Sequence, residues 1–381
     1  MRVYLLVLLL AATVTFIATP LVRLLARRVG AVTAVRARDV HTVPTPRLGG
    51  VAMLLGFGIS LLIASQVPFL SDVFATNQPW AVLLGAGLVV VLGIVDDVWD
   101  LDWLTKLVGQ VLAAGVIAWQ GVQLITFPVA GLTIGSARLS LIATVIVVVV
   151  AINAVNFIDG LDGLAAGVIG IGGLAFFAYT YMLSRAETPG DYSNVASLII
   201  VAVVGVCLGF LPHNFNPASI FMGDSGSMFL GLTVAAATIT VTGQIDPARL
   251  SAEQVLPVFV PILLPVAIML LPLLDMTLAV LRRLRAGTSP FQADRMHLHH
   301  RLLALGHSHR RAVLVLYMWT AVVAFGAAAL AIFDTTQVLL ATTGAVVAAI
   351  ILTIAHLPGL RRRRAPDRAA NVTTSTKETP R

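Results

Sequence analysis

Four short polar clusters interrupt an otherwise apolar sequence, and their residue types are those that handle phosphates and metal ions. The first is VDDVWDLDWLTK, which contains the adjacent Asp96 and Asp97 and ends with Lys106. Adjacent carboxylates repel each other, so either their pKa values separate or a cation joins them. Asp100 completes an Asp-Asp-x-x-Asp pattern, which is also the diphosphate–Mg²⁺ motif of prenyltransferases. A hydrated turn between two helices is the plainer interpretation.

The second cluster, NAVNFIDGLDGLAAG, carries oxygen-bearing side chains three residues apart. They are Asn153, Asn156, Asp159 and Asp162. At this spacing they are expected to share one face of a helix end, and the neighbouring Gly160 and Gly163 allow a close approach. Such ligands suit Mg²⁺, which takes few protein oxygens when phosphates complete its shell. Helix capping explains one or two of these residues but not four.

The third cluster, HNFNPASIFMGDSGSMFLG, lies between two apolar segments. Asp224 stands where the second segment begins, so it is either an ordinary helix N-cap or a metal ligand beside free backbone N–H groups. Asn214 has the hydrogen-bonding groups to read a base edge, and Phe221 has a ring that could stack on a base. Packing is the simpler role for a single phenylalanine.

The fourth cluster, SPFQADRMHLHHRL, contains three histidines followed by an arginine. These residues are His297, His299, His300 and Arg301. A zinc site would need a fourth ligand that the cluster does not offer. Cationic and hydrogen-bonding groups for phosphates and a sugar fit better. A basic loop that serves only membrane topology is the alternative.

Two further features accompany these clusters. The segment RARDVHTVPTPRLGG ends with Arg47 and the pair Gly49-Gly50; its arginines could attract a lipid phosphate, and its glycines permit close packing. Asp275 lies about two helical turns before Arg282, so we expect a structural ion pair or a catalytic role there.

Composition shows which elements must position these clusters. The 381 residues are 58% hydrophobic and 11% charged, and the mean hydropathy is +0.94. This excludes a soluble enzyme, a disordered regulator and, with the single Cys207, a disulfide-stapled domain. The sequence predicts an all-α polytopic membrane protein. Its apolar segments predict about eleven spans: 3–22, 48–70, 79–95, 104–121, 139–157, 163–184, 194–211, 226–243, 255–281, 312–333 and 337–357.

The distribution of lysine and arginine predicts the orientation of these spans. One set of alternate loops holds 21 of these cations and the other holds four, so the first set is expected in the cytoplasm. The N-terminus is then outside and the C-terminus is cytoplasmic. All four polar clusters fall on the cytoplasmic side, which predicts one composite site. A small surface β-hairpin is expected at 122–138, a single catalytic domain at 1–360 and a basic, disordered tail at 361–381.

Five motifs in order resemble the polyprenyl-phosphate N-acetylhexosamine-1-phosphate transferases. They are VPTPRLGG, DDVWDLDWLTK, NAVNFIDGLDG, FNPASIFMGDSGS and HLHHRL, and the resemblance covers about residues 36–303. The pattern HLHHRL with eleven spans is similar to the bacterial branch that uses UDP-N-acetylglucosamine (UDP-GlcNAc). The family implies that a polyprenyl phosphate attacks the sugar nucleotide, UMP leaves and a lipid-linked sugar diphosphate forms. It also implies Mg²⁺, with Mn²⁺ as a substitute.

The resemblance and the clusters together assign roles to particular residues. The metal ligands are Asp224 and Asn156. The catalytic set is Asp96, Asp97, Lys106, Asp159, His297, His299 and His300. The substrate-binding set is Asp162, Asn214, Phe221, Arg301 and Arg47. We expect Asp96 and Asp97 to organise the lipid phosphate rather than to form a covalent intermediate, because that phosphate is largely dianionic at neutral pH.

The expected partners are UDP-GlcNAc, a polyprenyl phosphate, the bacterial plasma membrane and a second copy of the chain, but no nucleic acid. The expected role is the first lipid-linked step of cell-envelope polysaccharide synthesis. Three alternatives remain open from the sequence. They are a phospho-N-acetylmuramoyl-pentapeptide transferase of the same superfamily, an intramembrane prenyltransferase and an ion-coupled transporter.

Overall fold

The structure is a bundle of apolar helices, as the composition predicts. This computed structural model describes residues 1–32, 44–124, 136–187, 193–242, 264–287 and 297–355. In chain order its helices are α1 (Arg2–Val29), α2 (Gly49–Ala64), the 3₁₀ turn Pro68–Leu70, α3 (Ser71–Phe74), α4 (Gln78–Trp99), α5 (Trp103–Trp119), α6 (Ala137–Ile158), α7 (Leu164–Glu187), α8 (Val195–Asn214), α9 (Gly223–Thr242), α10 (Leu270–Arg285), α11 (Leu298–Ala304), α12 (His309–Ala329) and α13 (Thr335–Ala355). Within the described ranges the only β-type pairing is an isolated bridge between Val32 and Pro46.

The helical, multi-pass architecture is confirmed at this level. Among the described residues, eight helices are long and apolar enough to cross a membrane. A ninth forms if α2 and the short helices after it, which bend by 99°, make one span. Helix α5 is apolar but has only 17 residues. The count of eleven and the orientation stay predictions, and most of the proposed hairpin and part of the span 255–281 lie outside the described residues.

Helices α8 and α9 occupy the centre of the bundle. In the most apolar 18-residue stretch of each helix, 83% of the residues are buried in α8 and 94% in α9, against 11% in α13. Small residues along α9 let the neighbouring helices approach it closely. The polar N-terminus of α9, which carries Asp224, is therefore held among the other helices.

Backbone hydrogen bonds tie the start of α2 to the start of α9. Gly49 and Gly50 donate their N–H groups to the carbonyls of Phe221 and Met222, at 3.0 and 3.1 Å. The N–H of Phe221 in turn donates to the carbonyl of Pro46 at 2.8 Å. The expected close packing at the glycine pair is thus present, and it fixes the segment that leads into Asp224.

Candidate active site

Three charged side chains from α4, α5 and α9 meet at one end of the bundle. The Lys106 Nζ lies 2.7 Å from Asp96 Oδ2 and 3.2 Å from Asp224 Oδ2. Asp96 is nearly enclosed, whereas about a quarter of the Lys106 and Asp224 side chains is exposed. One ammonium group therefore balances two carboxylates, and the Asp224 side of this pair stays accessible to a ligand.

Asp97 caps the N-terminus of α9. Its Oδ1 accepts from the backbone N–H of Asp224 at 3.1 Å, and its Oδ2 accepts from the N–H and hydroxyl of Ser225 at 3.3 and 3.1 Å. Arg47 lies 4.0 Å away, and the Asp97 side chain is 1% exposed. Both oxygens are thus engaged inside the protein, which fits an organising carboxylate better than an attacking group.

Asn156 extends the cluster from the last turns of α6. Its Nδ2 donates to Asp224 Oδ1 at 3.1 Å and to Ser227 Oγ at 2.9 Å. Asn153, one turn earlier, instead donates to Gln110 on α5 at 2.7 Å. The second cluster was expected to share one helix face. Asn153 and Asn156 lie one turn apart on α6, but Asp159 and Asp162 do not continue that face, because α6 ends at Ile158.

Asp159 follows α6 directly and adds another acid to this end of the bundle. Burial, together with the nearby carboxylates of Asp224 and Asp97, raises the pKa of Asp159 to about 8. Near neutral pH this group therefore holds a proton unless a cation joins it. Such an environment favours the binding of positive charge.

The donor chemistry of the site fits a divalent cation. Four aspartates face two cations, namely Asp96, Asp97, Asp159 and Asp224 against Lys106 and Arg47. Within the part of the chain that the structure describes, no three His, Cys, Asp or Glu side chains form a ready-made metal site. An ion with few protein ligands would fit here, with the Asp224 carboxylate and the Asn156 amide oxygen as the candidate ligands and a substrate to complete its shell.

Asp162 and Asn214 lie in a second hydrogen-bonded group that holds the neighbouring loops together. Asp162 Oδ2 accepts from the side chain of Asn216 at 2.9 Å and from the N–H of Ala218 at 3.0 Å. The Asp162 N–H donates to His309 Nε2 at 3.1 Å. Asn214 accepts from the N–H of Gly163 and donates to the Ile220 carbonyl, both at 3.0 Å. These hydrogen bonds show that both residues hold the loops in place. A role of Asp162 and Asn214 at a nucleotide stays a prediction.

The sequence pointed to neither Asn216 nor His309 in this group. Asn216 belongs to the third cluster, where other residues have the more evident chemistry, and His309 lies outside all four clusters. His309 follows a serine and precedes two arginines, so its neighbourhood resembled a basic loop. Only the packing of α12 against α7 brings it to Asp162.

Asp100 and Asp102 lie away from this cluster, although they belong to the same acidic motif. Asp100 is exposed and has a left-handed backbone with φ of 55°. Asp102 is the N-cap of α5 and accepts from the backbone N–H groups of Leu104 and Thr105. The Asp-Asp-x-x-Asp pattern therefore contributes its first two acids to the site, which argues against a prenyltransferase motif.

Residues 297–301, called the histidine loop below, lie against the end of α6. A side chain on Gly160 would clash with the His299 ring, since its Cβ would lie 2.3 Å from Cε1. The His299 ring also lies 4.4 Å from that of His300, centre to centre. Burial, with a smaller effect of the charge on His300, lowers the pKa of His299 to about 3. His299 is thus held neutral where it packs, so it could serve a substrate only by hydrogen bonding; its catalytic role stays a prediction. Arg301 is exposed on α11, and His300 is half-buried.

This environment predicts a pH dependence of stability. An unfolded histidine titrates near pH 6.5, whereas folded His299 stays neutral to about pH 3. Below pH 6.5 the unfolded chain binds the extra proton, so the free energy of unfolding falls as the pH drops. We expect the melting temperature to fall more between pH 7.5 and pH 5 in the wild type than in His299→Gln. Parallel losses in the two proteins would contradict the assignment of a neutral, buried His299.

Comparison with known proteins defines the class to which this fold and site belong. The sequence profile of glycosyl transferase family 4 matches residues 79–242, which carry the aspartate pair, Lys106, Asn156 and Asp224. The chain belongs to this family of polyprenyl-phosphate N-acetylhexosamine-1-phosphate transferases. It is therefore a membrane-embedded phosphotransferase.

The relatives with high identity to this chain are named for transfer of N-acetylglucosamine phosphate. The chain is 46% identical over 367 residues to the decaprenyl-phosphate N-acetylglucosaminephosphotransferase of Mycolicibacterium smegmatis, covering 94% of this chain and 89% of the relative. The enzyme of the same name from Mycobacterium tuberculosis is 46% identical over 360 residues, with 92% and 88% covered. A probable undecaprenyl-phosphate N-acetylglucosaminyl 1-phosphate transferase of Bacillus subtilis is 34% identical over 307 residues, with 79% and 78% covered.

Proposed function

We propose that this chain transfers N-acetylglucosamine-1-phosphate from UDP-GlcNAc to a polyprenyl phosphate of the bacterial plasma membrane. The observation that carries the proposal is the meeting of Lys106, Asn156 and Asp224 at the start of α9, within a chain similar to enzymes named for this transfer. Relatives named for decaprenyl and undecaprenyl acceptors support a long polyprenyl phosphate as the lipid substrate.

The reaction exchanges one phosphoanhydride bond for another. A phosphate oxygen of the lipid attacks the β-phosphorus of UDP-GlcNAc, and the bond from that phosphorus to the bridging oxygen breaks. UMP leaves with the bridging oxygen, and the product is a lipid-linked GlcNAc diphosphate. The lipid phosphate has a second pKa of about 6, so it attacks as a dianion without a strong general base.

The protein's task is then to position anions and balance their charge. The Lys106 Nζ lies 3.2 Å from Asp224 Oδ2, so its ammonium group can also bind a phosphate oxygen that lies beside Asp224. Asp97 holds the N-terminus of α9 and so sets the position of Asp224. When bound, Mg²⁺ on Asp224 and Asn156 would neutralise charge on the diphosphate.

The remaining predicted residues complete the substrate site in this proposal. Arg47, with 38% of its side chain exposed, lies beside Asp97 where a lipid phosphate would approach. The histidine loop faces the sugar and diphosphate through His297, His300 and Arg301. Phe221 is half-buried beside the start of α9, and in this proposal its ring stacks on the uridine. The excess of cations in the loops that bear the site supports a cytoplasmic location for it.

The proposal predicts the products of a defined assay. Purified protein in polyprenyl phosphate-containing micelles with Mg²⁺ is expected to release UMP from UDP-GlcNAc, one per lipid diphosphate formed. A panel of UDP-sugars tests the donor, and removal of the metal with EDTA is expected to stop release until Mg²⁺ is restored. Release of inorganic diphosphate from a prenyl diphosphate, without UMP, would instead indicate a prenyltransferase.

A further inference from the structure

A buried carboxylate on α10 holds the beginning of the histidine loop. The Asp275 side chain is 1% exposed, and its Oδ2 lies 2.9 Å from His297 Nδ1. Its other oxygen, Oδ1, accepts from the backbone N–H of Leu298 at 2.7 Å. One carboxylate therefore fixes both the His297 ring and the first residue of α11.

The ring that Asp275 holds lies next to the helix end that carries the proposed metal ligand. His297 packs edge-on against Phe157, with 5.8 Å between ring centres, and Phe157 follows Asn156 directly. The ring of His299 lies parallel to that of His297, 5.5 Å away, and contacts Gly160. The position of His297 relative to the candidate active site thus depends on the anchor provided by α10.

The Asp275 contact also determines which His297 nitrogen can serve a substrate. A carboxylate beside Nδ1 requires a proton on that nitrogen, so Nδ1 is the donor and Nε2 is left for other contacts. The His297 side chain is 13% exposed, which leaves part of the ring accessible.

Building on the proposed function, we propose that Asp275 is a positioning residue for phosphosugar transfer, which orients His297 so that Nε2 meets the diphosphate-sugar of the donor. The sequence predicts Asp275 near Arg282 on its own helix and does not indicate His297 as its partner. Asp275 touches no substrate in this arrangement; it acts through His297.

A double-mutant cycle tests this coupling in the full-length protein. Asp275→Asn keeps the shape and an acceptor for Leu298 but can donate to Nδ1, which reverses the tautomer of His297. We expect its kcat/KM for UDP-GlcNAc to fall about 10- to 100-fold, with the KM for polyprenyl phosphate unchanged. In a His297→Ala background the same substitution is expected to cause no further loss. Additive losses in the double variant would overturn the proposal.

A measurement without substrate separates this proposal from the proposed function. In ¹⁵N-histidine-labelled protein, the His297 signal, identified by its loss in His297→Ala, is expected to show a protonated Nδ1 in the wild type and an unprotonated Nδ1 in Asp275→Asn. The same pattern in both proteins would overturn the proposal even if UMP is released. Asp72→Asn, an exposed acid-to-amide change on α3, is the control. If Asp275→Asn does not fold, Asp275→Glu takes its place and is expected to keep Nδ1 protonated; loss of that proton would overturn the proposal.

Discussion

Asp224→Asn is expected to reduce kcat for UMP release by about 100- to 1,000-fold, because the charge that holds a cation and pairs with Lys106 is removed. The fold is expected to survive, since the backbone N–H of Asp224, rather than its side chain, bonds to Asp97 and begins α9. Turnover measured by UMP release, together with the melting temperature, checks both parts of this prediction.

Asp72→Asn is the matched control for this change. It makes the same replacement on exposed α3, which precedes α4 and so lies at the opposite end of that helix from Asp96. The control is expected to keep wild-type turnover. Full activity of Asp224→Asn would show that the start of α9 does not hold the reacting diphosphate, whereas unfolding of that variant would show a structural role instead.

Gly93→Ala is expected to destabilise the protein and to inactivate it, although it adds one methyl group. The new Cβ would lie 2.3 Å from the backbone of Ser225, so α4 and the start of α9 must move apart. Such overpacking typically costs about 1–3 kcal/mol in the free energy of unfolding. Asp97 is one turn further along α4 and bonds to Ser225, so the same shift displaces the cap of α9. A displacement of about 1 Å can lower turnover about 100-fold.

Gly87→Ala, on the same helix, separates this effect from helix propensity. No atom lies within 4 Å of the position its Cβ would occupy, so we expect unchanged turnover and equal or slightly higher stability. The two variants are compared by thermal unfolding and UMP release in one detergent. If both behave alike, the close contact between α4 and α9 does not position the site.

The polar clusters of the sequence identified most of the residues that meet in the structure. An acid in an apolar chain is costly unless it has a partner or a task, so Asp96, Asp97 and Asp224 stood out by type alone. Counting spans and cations predicted that these acids lie on the same side of the membrane. The fold class followed from composition, because so much apolar surface leaves few structures other than a helical bundle in a membrane.

The sequence could not show which partner each polar group takes. Spacing along α6 was consistent with Asn153 and Asp162 joining Asn156, yet the helix ends at Ile158 and Asp162 turns to other loops. Burial likewise makes His299 neutral, and burial depends on the packing of α11 against distant segments. Asp275 has its partner 22 positions later, a contact that only tertiary structure creates.

Binding of Mn²⁺, followed by electron paramagnetic resonance in the presence of UDP-GlcNAc, shows whether the start of α9 holds a divalent cation. We expect one tightly bound ion per wild-type chain, the same stoichiometry in Asp72→Asn, and a large loss of affinity in Asp224→Asn. Equal affinity of the wild type and Asp224→Asn for Mn²⁺ would contradict a cation-dependent site at the start of α9.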